Sequence, residues 1–169
     1  YQNYCFEGED YKKGAKLLTK GMVIGSIEAG VLASLGMEKI SVYRAPRAAV
    51  LTTGDELMLP GEELLPGKIY DSNLYTCVTR LKSWGVQVTY QGRAEDDAKI
   101  VAGHIQRAAE NADILITTGG VSVGKKDIMH EVLQILDCQK LFWGVQIKPG
   151  MPTLCALYQG KPLICLSGN

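Results

Sequence analysis

At 169 residues, with 46% hydrophobic and 21% charged residues, the chain has the composition of a soluble globular protein, one domain with room for part of a second. Its 18 basic and 18 acidic residues cancel, which removes any electrostatic reason to expect nucleic acid or an anionic membrane as partner. No apolar run approaches the ~18 residues of a membrane span, and no basic-then-apolar leader opens the chain, so a cytoplasmic protein is expected.

Residues 1–46 offer one convincing helix, from Gly25 to Leu35 and ended by Gly36, and are read as an edge piece and not a complete domain. Within them Gly8-Glu9-Asp10, followed by Lys12-Lys13-Gly14, reads as a solvated turn. From Arg47 the texture changes. Ala48-Ala49-Val50-Leu51-Thr52 is an apolar run bounded by Pro46 and Gly54, and is expected to be the first strand of a main domain covering residues 47–169. Gly54-Asp55-Glu56 then carries two carboxylates to the C-terminal end of that strand, the edge where open α/β sheets hold their ligands. The stretch with Pro60, Gly61, Pro66 and Gly67 is expected to be a long loop without secondary structure of its own.

Asp71-Ser72-Asn73 offers capping side chains to a helix with Leu74, Cys77, Val78 and Leu81 on one face and Gly85 as its stop. Capping alone accounts for one of those three polar residues and not for all three. Val86 to Tyr90 reads as a strand ending at Gly92. Glu95-Asp96-Asp97 opens a second helix with Ala98, Val101, Ile105 and Ala108 on one face, and carboxylates in a first helical turn are ordinarily dipole partners.

The centre of the chain is Asp113 to Asp127: a short buried strand, then Thr118-Gly119-Gly120-Val121-Ser122-Val123-Gly124, then a helix opening near Asp127. Two adjacent glycines permit positive φ and expose N–H groups, while Thr117, Thr118 and Ser122 add hydroxyls. Such a loop suits an anion, phosphate above all, ahead of a helix N-terminus. Ile128, Met129, Val132, Leu133 and Leu136 define a third amphipathic helix. Three strands follow, over 141–147, 153–157 and 162–166, the last two joined as a hairpin. Lys148-Pro149-Gly150 lies in a rigid turn between the first two, and Ser167-Gly168-Asn169 leaves the last.

Five cysteines, Cys5, Cys77, Cys138, Cys155 and Cys165, are odd in number and contain no Cys-x-x-Cys pair, so neither a disulfide framework nor a zinc site is expected. His104 and His130 fall in separate helical stretches.

Strand, helix, strand, helix, strand, helix and then strands predicts a three-layer α/β/α domain around a mostly parallel sheet. In it the loops after Thr52, Thr117 and Leu166 converge, and Glu56, Asp71, Asn73, Gly119, Gly120, Ser122 and Asn169 can line one crevice.

Four stretches carry a resemblance. They are Thr53-Gly54-Asp55-Glu56-Leu57, Pro66-Gly67-Lys68-Ile69-Tyr70-Asp71-Ser72-Asn73, Thr118 to Gly124 with Asp127, and Lys148-Pro149-Gly150 with Gly168-Asn169. In this order they resemble the MoeA or gephyrin E-domain family of molybdopterin molybdenumtransferases. The preceding Gly8-Glu9-Asp10 and the Gly25–Gly36 helix resemble the segment before that family's central domain. The resemblance implies a MoaB/Mog-like molybdopterin-binding fold, with the family's C-terminal β domain absent. It implies molybdate insertion into adenylylated molybdopterin with AMP release, in molybdenum cofactor biosynthesis, assisted by Mg2+. It further implies Glu56, Asp127, Asp96 and Asp10 as catalytic carboxylates, the first three also as metal ligands. Asp71, Ser72, Asn73, Thr118, Gly119, Gly120, Ser122, Lys148, Gly168 and Asn169 are implied for pterin and phosphate binding. A homodimer in the full-length protein and a Mog-type adenylyltransferase partner follow from the same resemblance, with no role for nucleic acid or membrane. The sequence departs from the family in three places: Met151 stands where a lysine is usual, Ser167 where a proline is usual, and the pair Lys125-Lys126 precedes Asp127. They keep open an alternative, a non-catalytic molybdopterin-binding module acting as a sensor or carrier.

Overall fold

The computed structural model describes residues 3–121 and 128–169. The chain forms two compact units, Tyr1–Tyr43 and Arg44–Asn169. The division falls slightly ahead of residue 46 because Arg44 belongs to the larger unit, its guanidinium donating to Asp113 at 2.5 and 2.7 Å.

In the smaller unit α1 (Ser26–Ser34) opens at Gly25, whose N–H donates to the Glu28 carboxylate at 2.9 Å. It closes at Gly36, in the left-handed region at φ 74°. No residue of α1 is buried. Val23 and Ile27 are 87% and 76% exposed, and no described residue of this unit is buried.

The larger unit runs β1 (Arg47–Thr53), β2 (Leu57–Met58), β3 (Ile69–Tyr70), α2 (Ser72–Ser83), β4 (Gln87–Ala94), α3 (Ala98–Ala109), β5 (Ile114–Thr118), α4 (Met129–Ile135), β6 (Gln139–Trp143), β7 (Leu154–Tyr158) and β8 (Lys161–Leu166). Six strands form one sheet in the order β4-β1-β5-β8-β7-β6. The first four are parallel, and at the far edge β7 runs antiparallel to both its neighbours, β8 and β6. The sheet is mostly parallel, as expected.

Alternation along the strands sends Ala49, Leu51, Leu115, Leu163 and Cys165 to the face covered by α3 and α4, where Val101, Ile105, Met129 and Val132 complete the main core. Each fully buried aliphatic side chain there contributes roughly 1.5–3 kcal/mol. Ala48 and Val50 point to the other face, against Leu74, Val78 and Leu81 of α2.

Local chemistry explains the helix starts. The Asp71 carboxylate accepts from Leu74 N at 3.0 Å at the head of α2, and the Asp97 carboxylate accepts from Lys99 N and Ile100 N at the head of α3. Asp97 is thus a cap. The hairpin between β7 and β8 turns on Gln159 and Gly160, both at positive φ (52° and 75°), the pattern of the two-residue turn that matches strand twist.

Several elements differ from the sequence reading. The segment after Glu56 is not a bare loop: β2 and β3 pair in parallel and close it into a flap. β4 does not stop at Gly92 but continues to Ala94, since Gly92, Arg93 and Ala94 pair with Leu51, Thr52 and Thr53. β6 begins at Gln139 and ends at Trp143, because Gly144 takes φ 87° and turns the chain. Cys165 is buried, whereas Cys77 and Cys155 are half-buried, and none of the five cysteines forms a disulfide. Burial raises the Cys138 thiol to about 11, with Asp137 adding to the shift, which leaves it unreactive near neutrality.

Candidate functional site

The chain leaves β1 for β4 on one side and crosses back to β5 on the other, so the C-terminal ends of β1 and β5 border a topological switch point, where open α/β sheets bind ligands. A cleft of about 430 Å3 opens there. One wall is Thr53 and Glu56 after β1 and Asp96 after β4, a second is the flap through Leu57, Ile69 and Tyr70, and a third is Thr118, Gly119, Gly120 and Val121 after β5. Asp71, Ser72 and Asn73 at the head of α2, with Ser167, Gly168 and Asn169 after β8, complete it.

Most of the residues singled out in the sequence therefore come together: Glu56, Asp71, Ser72, Asn73, Asp96, Thr118, Gly119, Gly120, Gly168 and Asn169 all line this cleft. Lys148 does not. It is exposed and lines a separate shallow depression with Trp143 and Met151. Asp10 lies in the other unit. Ser122 and Asp127 lie outside the described residues.

Local contacts assign different work to residues that looked equivalent in the sequence. Asp71 is 1% exposed and both its carboxylate oxygens have partners, Oδ2 taking the Thr52 hydroxyl at 2.5 Å and Oδ1 the Leu74 N–H. It pins the head of α2 to the end of β1. The Asn73 amide donates to the Gly168 carbonyl at 2.8 Å, joining α2 to the exit of β8. The Gly119 N–H donates to the Leu166 carbonyl at 3.1 Å, so this donor serves the sheet edge and not a ligand. What Gly119 contributes is space: a Cβ there would stand 2.1 Å from the Thr53 carbonyl oxygen, and φ is 88°.

Sequence reasoning missed Thr53, Ile69, Tyr70, Pro152 and Ser167 as lining residues. The one available signal was position, since Thr53 ends β1 beside Gly54; in the structure its hydroxyl is buried against the glycine pair, with no hydrogen-bond partner among the described residues.

Electrostatically the described lining is one-sided. Glu56 and Asp96 bring carboxylates and no lysine or arginine is present among the described lining residues. Among the described residues no group of three His, Cys, Asp or Glu side chains is placed to hold a metal by itself. Two exposed carboxylates beside a polar loop match the way a magnesium ion is usually held, by one or two carboxylates with water and a phosphate completing the shell.

A family model described as "Probable molybdopterin binding domain" matches residues 49–169. Proteins named molybdopterin molybdenumtransferase from Staphylococcus epidermidis and Haemophilus influenzae are 39% and 38% identical over 168 residues, which is 99% of this chain and 40% and 41% of theirs. The crystal structure of a molybdopterin biosynthesis MoeA protein from Pyrococcus horikosii matches with TM-score 0.82 and 33% identity over 95% of this chain and 40% of that one. A MoaB protein of Pyrococcus furiosus, at 19% identity and TM-score 0.52 over 75% of this chain and 82% of that one, shares the fold. The chain thus spans about 40% of the length of the curated relatives it matches.

Proposed function

Because the chain belongs to the molybdopterin-binding domain family that matches residues 49–169, we propose that it supplies the pterin- and phosphate-binding part of a molybdopterin molybdenumtransferase. The reaction is molybdate insertion into adenylylated molybdopterin with release of AMP. One observation carries this reading: two carboxylates, Glu56 and Asp96, share one cleft with the glycine turn Gly119-Gly120 at the switch point of the sheet.

The Glu56 and Asp96 carboxylates repel a phosphoanhydride, and a divalent cation held beside them would let the two share the cleft. Glu56 and Asp96 are the residues that would hold Mg2+, with Asp127 as a third candidate. When bound, the ion would neutralise the anhydride charge and polarise its phosphorus–oxygen bonds. Thr118, Gly120 and Ser72 border the space left for phosphate, while Ile69 and Tyr70 offer apolar surface to a flat ring system. The resemblance assigns Ser122, Gly168, Asn169 and Lys148 to ligand binding and Asp10 to the catalytic carboxylates; of these Gly168 and Asn169 line the cleft, Lys148 lines a separate depression, and Asp10 belongs to the other unit.

A homodimer of the full-length protein belongs to the same proposal, supported by the uncovered apolar side chains of residues 3–43. So do a Mog-type adenylyltransferase as partner and a cytoplasmic setting, the latter fitting five cysteines outside any disulfide.

The test is calorimetric binding of molybdopterin to the chain, with and without Mg2+ and molybdate, alongside AMP release by the longer protein that carries it. Glu56→Gln is expected to abolish AMP release while leaving the thermal melt unchanged, and Gly120→Val to abolish pterin binding. Full AMP release from the Glu56→Gln protein would remove Glu56 from the chemistry.

A further inference from the structure

Glu56 and Asp96 reach the cleft from two different loops, one after β1 and one between β4 and α3, so their spacing depends on what ties the loops together. Two bonds do so. The Gly54 N–H donates to the Ala94 carbonyl at 3.2 Å, and the Asp96 N–H donates to Oδ1 of Asp55 at 3.0 Å. The Asp55 carbonyl in turn accepts from Lys68 Nζ at 2.7 Å, which joins the base of the flap to the same point.

Asp55 itself faces away from the cleft. It lines a neighbouring depression with Lys68, Arg93 and Glu62, whereas Glu56, the next residue, lines the cleft. Asp97, which follows Asp96, is committed to capping α3. The run Asp55, Glu56, Asp96, Asp97 thus divides into two side chains turned to the cleft and two that hold backbone.

We infer that Asp55 is a positioning residue: its carboxylate holds the Asp96 backbone so that the Asp96 and Glu56 side chains share one divalent cation. This rests on the metal reading proposed above. A hydrogen bond from a backbone N–H to a carboxylate is short-range and directional, so losing it frees the Asp96 loop without unfolding the sheet.

The experiment uses Mn2+ as probe, with affinity read by calorimetry and electron paramagnetic resonance on the full chain, and Asp96 N–H exchange read by NMR. Asparagine keeps an acceptor oxygen at the same place and loses the charge; alanine loses both. Asp55→Asn is expected to hold Mn2+ within about twofold of the parent protein with Asp96 exchange unchanged. Asp55→Ala is expected to weaken Mn2+ about tenfold, as one lost hydrogen bond would, and to speed that exchange. Equal losses in the two variants would make Asp55 a ligand or charge partner and overturn the inference, as would parent-like affinity in Asp55→Ala. Glu56→Gln and Asp96→Asn separate the two failures. If the parent binds no Mn2+, or binds it equally well in those two variants, the metal reading itself falls and takes the role of Asp55 with it.

Discussion

Gly119 carries the tightest steric constraint in the cleft. Its φ of 88° and the 2.1 Å that would separate an added Cβ from the Thr53 carbonyl oxygen both exclude a side chain, and the blocking atom is backbone that cannot swing aside. Gly119→Ala is therefore expected to cost more than about 2 kcal/mol in urea unfolding, the range of strained or overpacked positions. Asp113 is a second residue whose surroundings decide its behaviour. Hydrogen bonds from the Arg44 guanidinium first, then the Arg47 side chain and backbone N–H, hold its carboxyl well below the usual carboxylate range. A depressed folded value means that the ionised form stabilises the fold. The contribution is complete above the ordinary carboxylate value near ~4 and is lost as pH falls toward the lower folded value. The urea midpoint of the parent protein should exceed that of Asp113→Asn at pH 7, and the gap should shrink steadily as the solution is acidified.

Among the elements, the flap formed by β2 and β3 is the most exposed to perturbation. It is a two-residue pairing held from outside by Arg93 of β4, which donates to the Leu57 carbonyl and lies 3.9 Å from Glu62, and from within by the Tyr70 hydroxyl, which donates to the Glu62 carbonyl at 2.8 Å. Arg93→Ala is expected to speed proteolytic cleavage within residues 59–68 about tenfold while moving the global unfolding midpoint by less than about 1 kcal/mol, since local opening and global unfolding draw on different contacts. Equal changes in both would show the flap to be part of the cooperative core. Arg93 reaches the flap because of a register shift earlier in β4: Ala48 pairs with Val88 and Ala49 with Tyr90, leaving Thr89 over. The extra residue reverses the parity of the strand, so Val88 packs with α2 while Tyr90 packs with the α3 core. Arg93 is then opposite Thr52, the residue that reaches Asp71.

For the whole molecule, the two units differ in what can hold them together. Arg44–Asn169 has buried clusters on both faces of its sheet, whereas α1 buries no residue. A chain cut to residues 44–169 is expected to keep a cooperative thermal transition within a few degrees of the full chain. The peptide of residues 1–43 should show little helix by circular dichroism, because a short helix without a packed face is marginal in water. A cooperative transition from the isolated peptide would contradict this account.

What the sequence determined by itself was everything carried by local chemistry. Apolar runs such as Ala48–Leu51 fixed strands. Asp71 marked the head of α2, Gly36 and Gly85 ended helices, and the β7–β8 hairpin lay in its turn residues, because each depends on φ, ψ and neighbours a few positions away. The meeting of Glu56, Asn73, Gly119 and Asn169 in one cleft was also legible, since parallel strands joined by helices must gather their C-terminal loops at one edge. The tertiary structure alone decided the parity change at Thr89, the pairing that turns a proline- and glycine-rich stretch into a flap, the commitment of Asp71 and of the Gly119 N–H to the scaffold, and the tie from Asp55 to Asp96. Each of these is a contact between residues far apart in sequence, and a carboxylate or glycine looks the same in a sequence whether it holds backbone or faces a ligand.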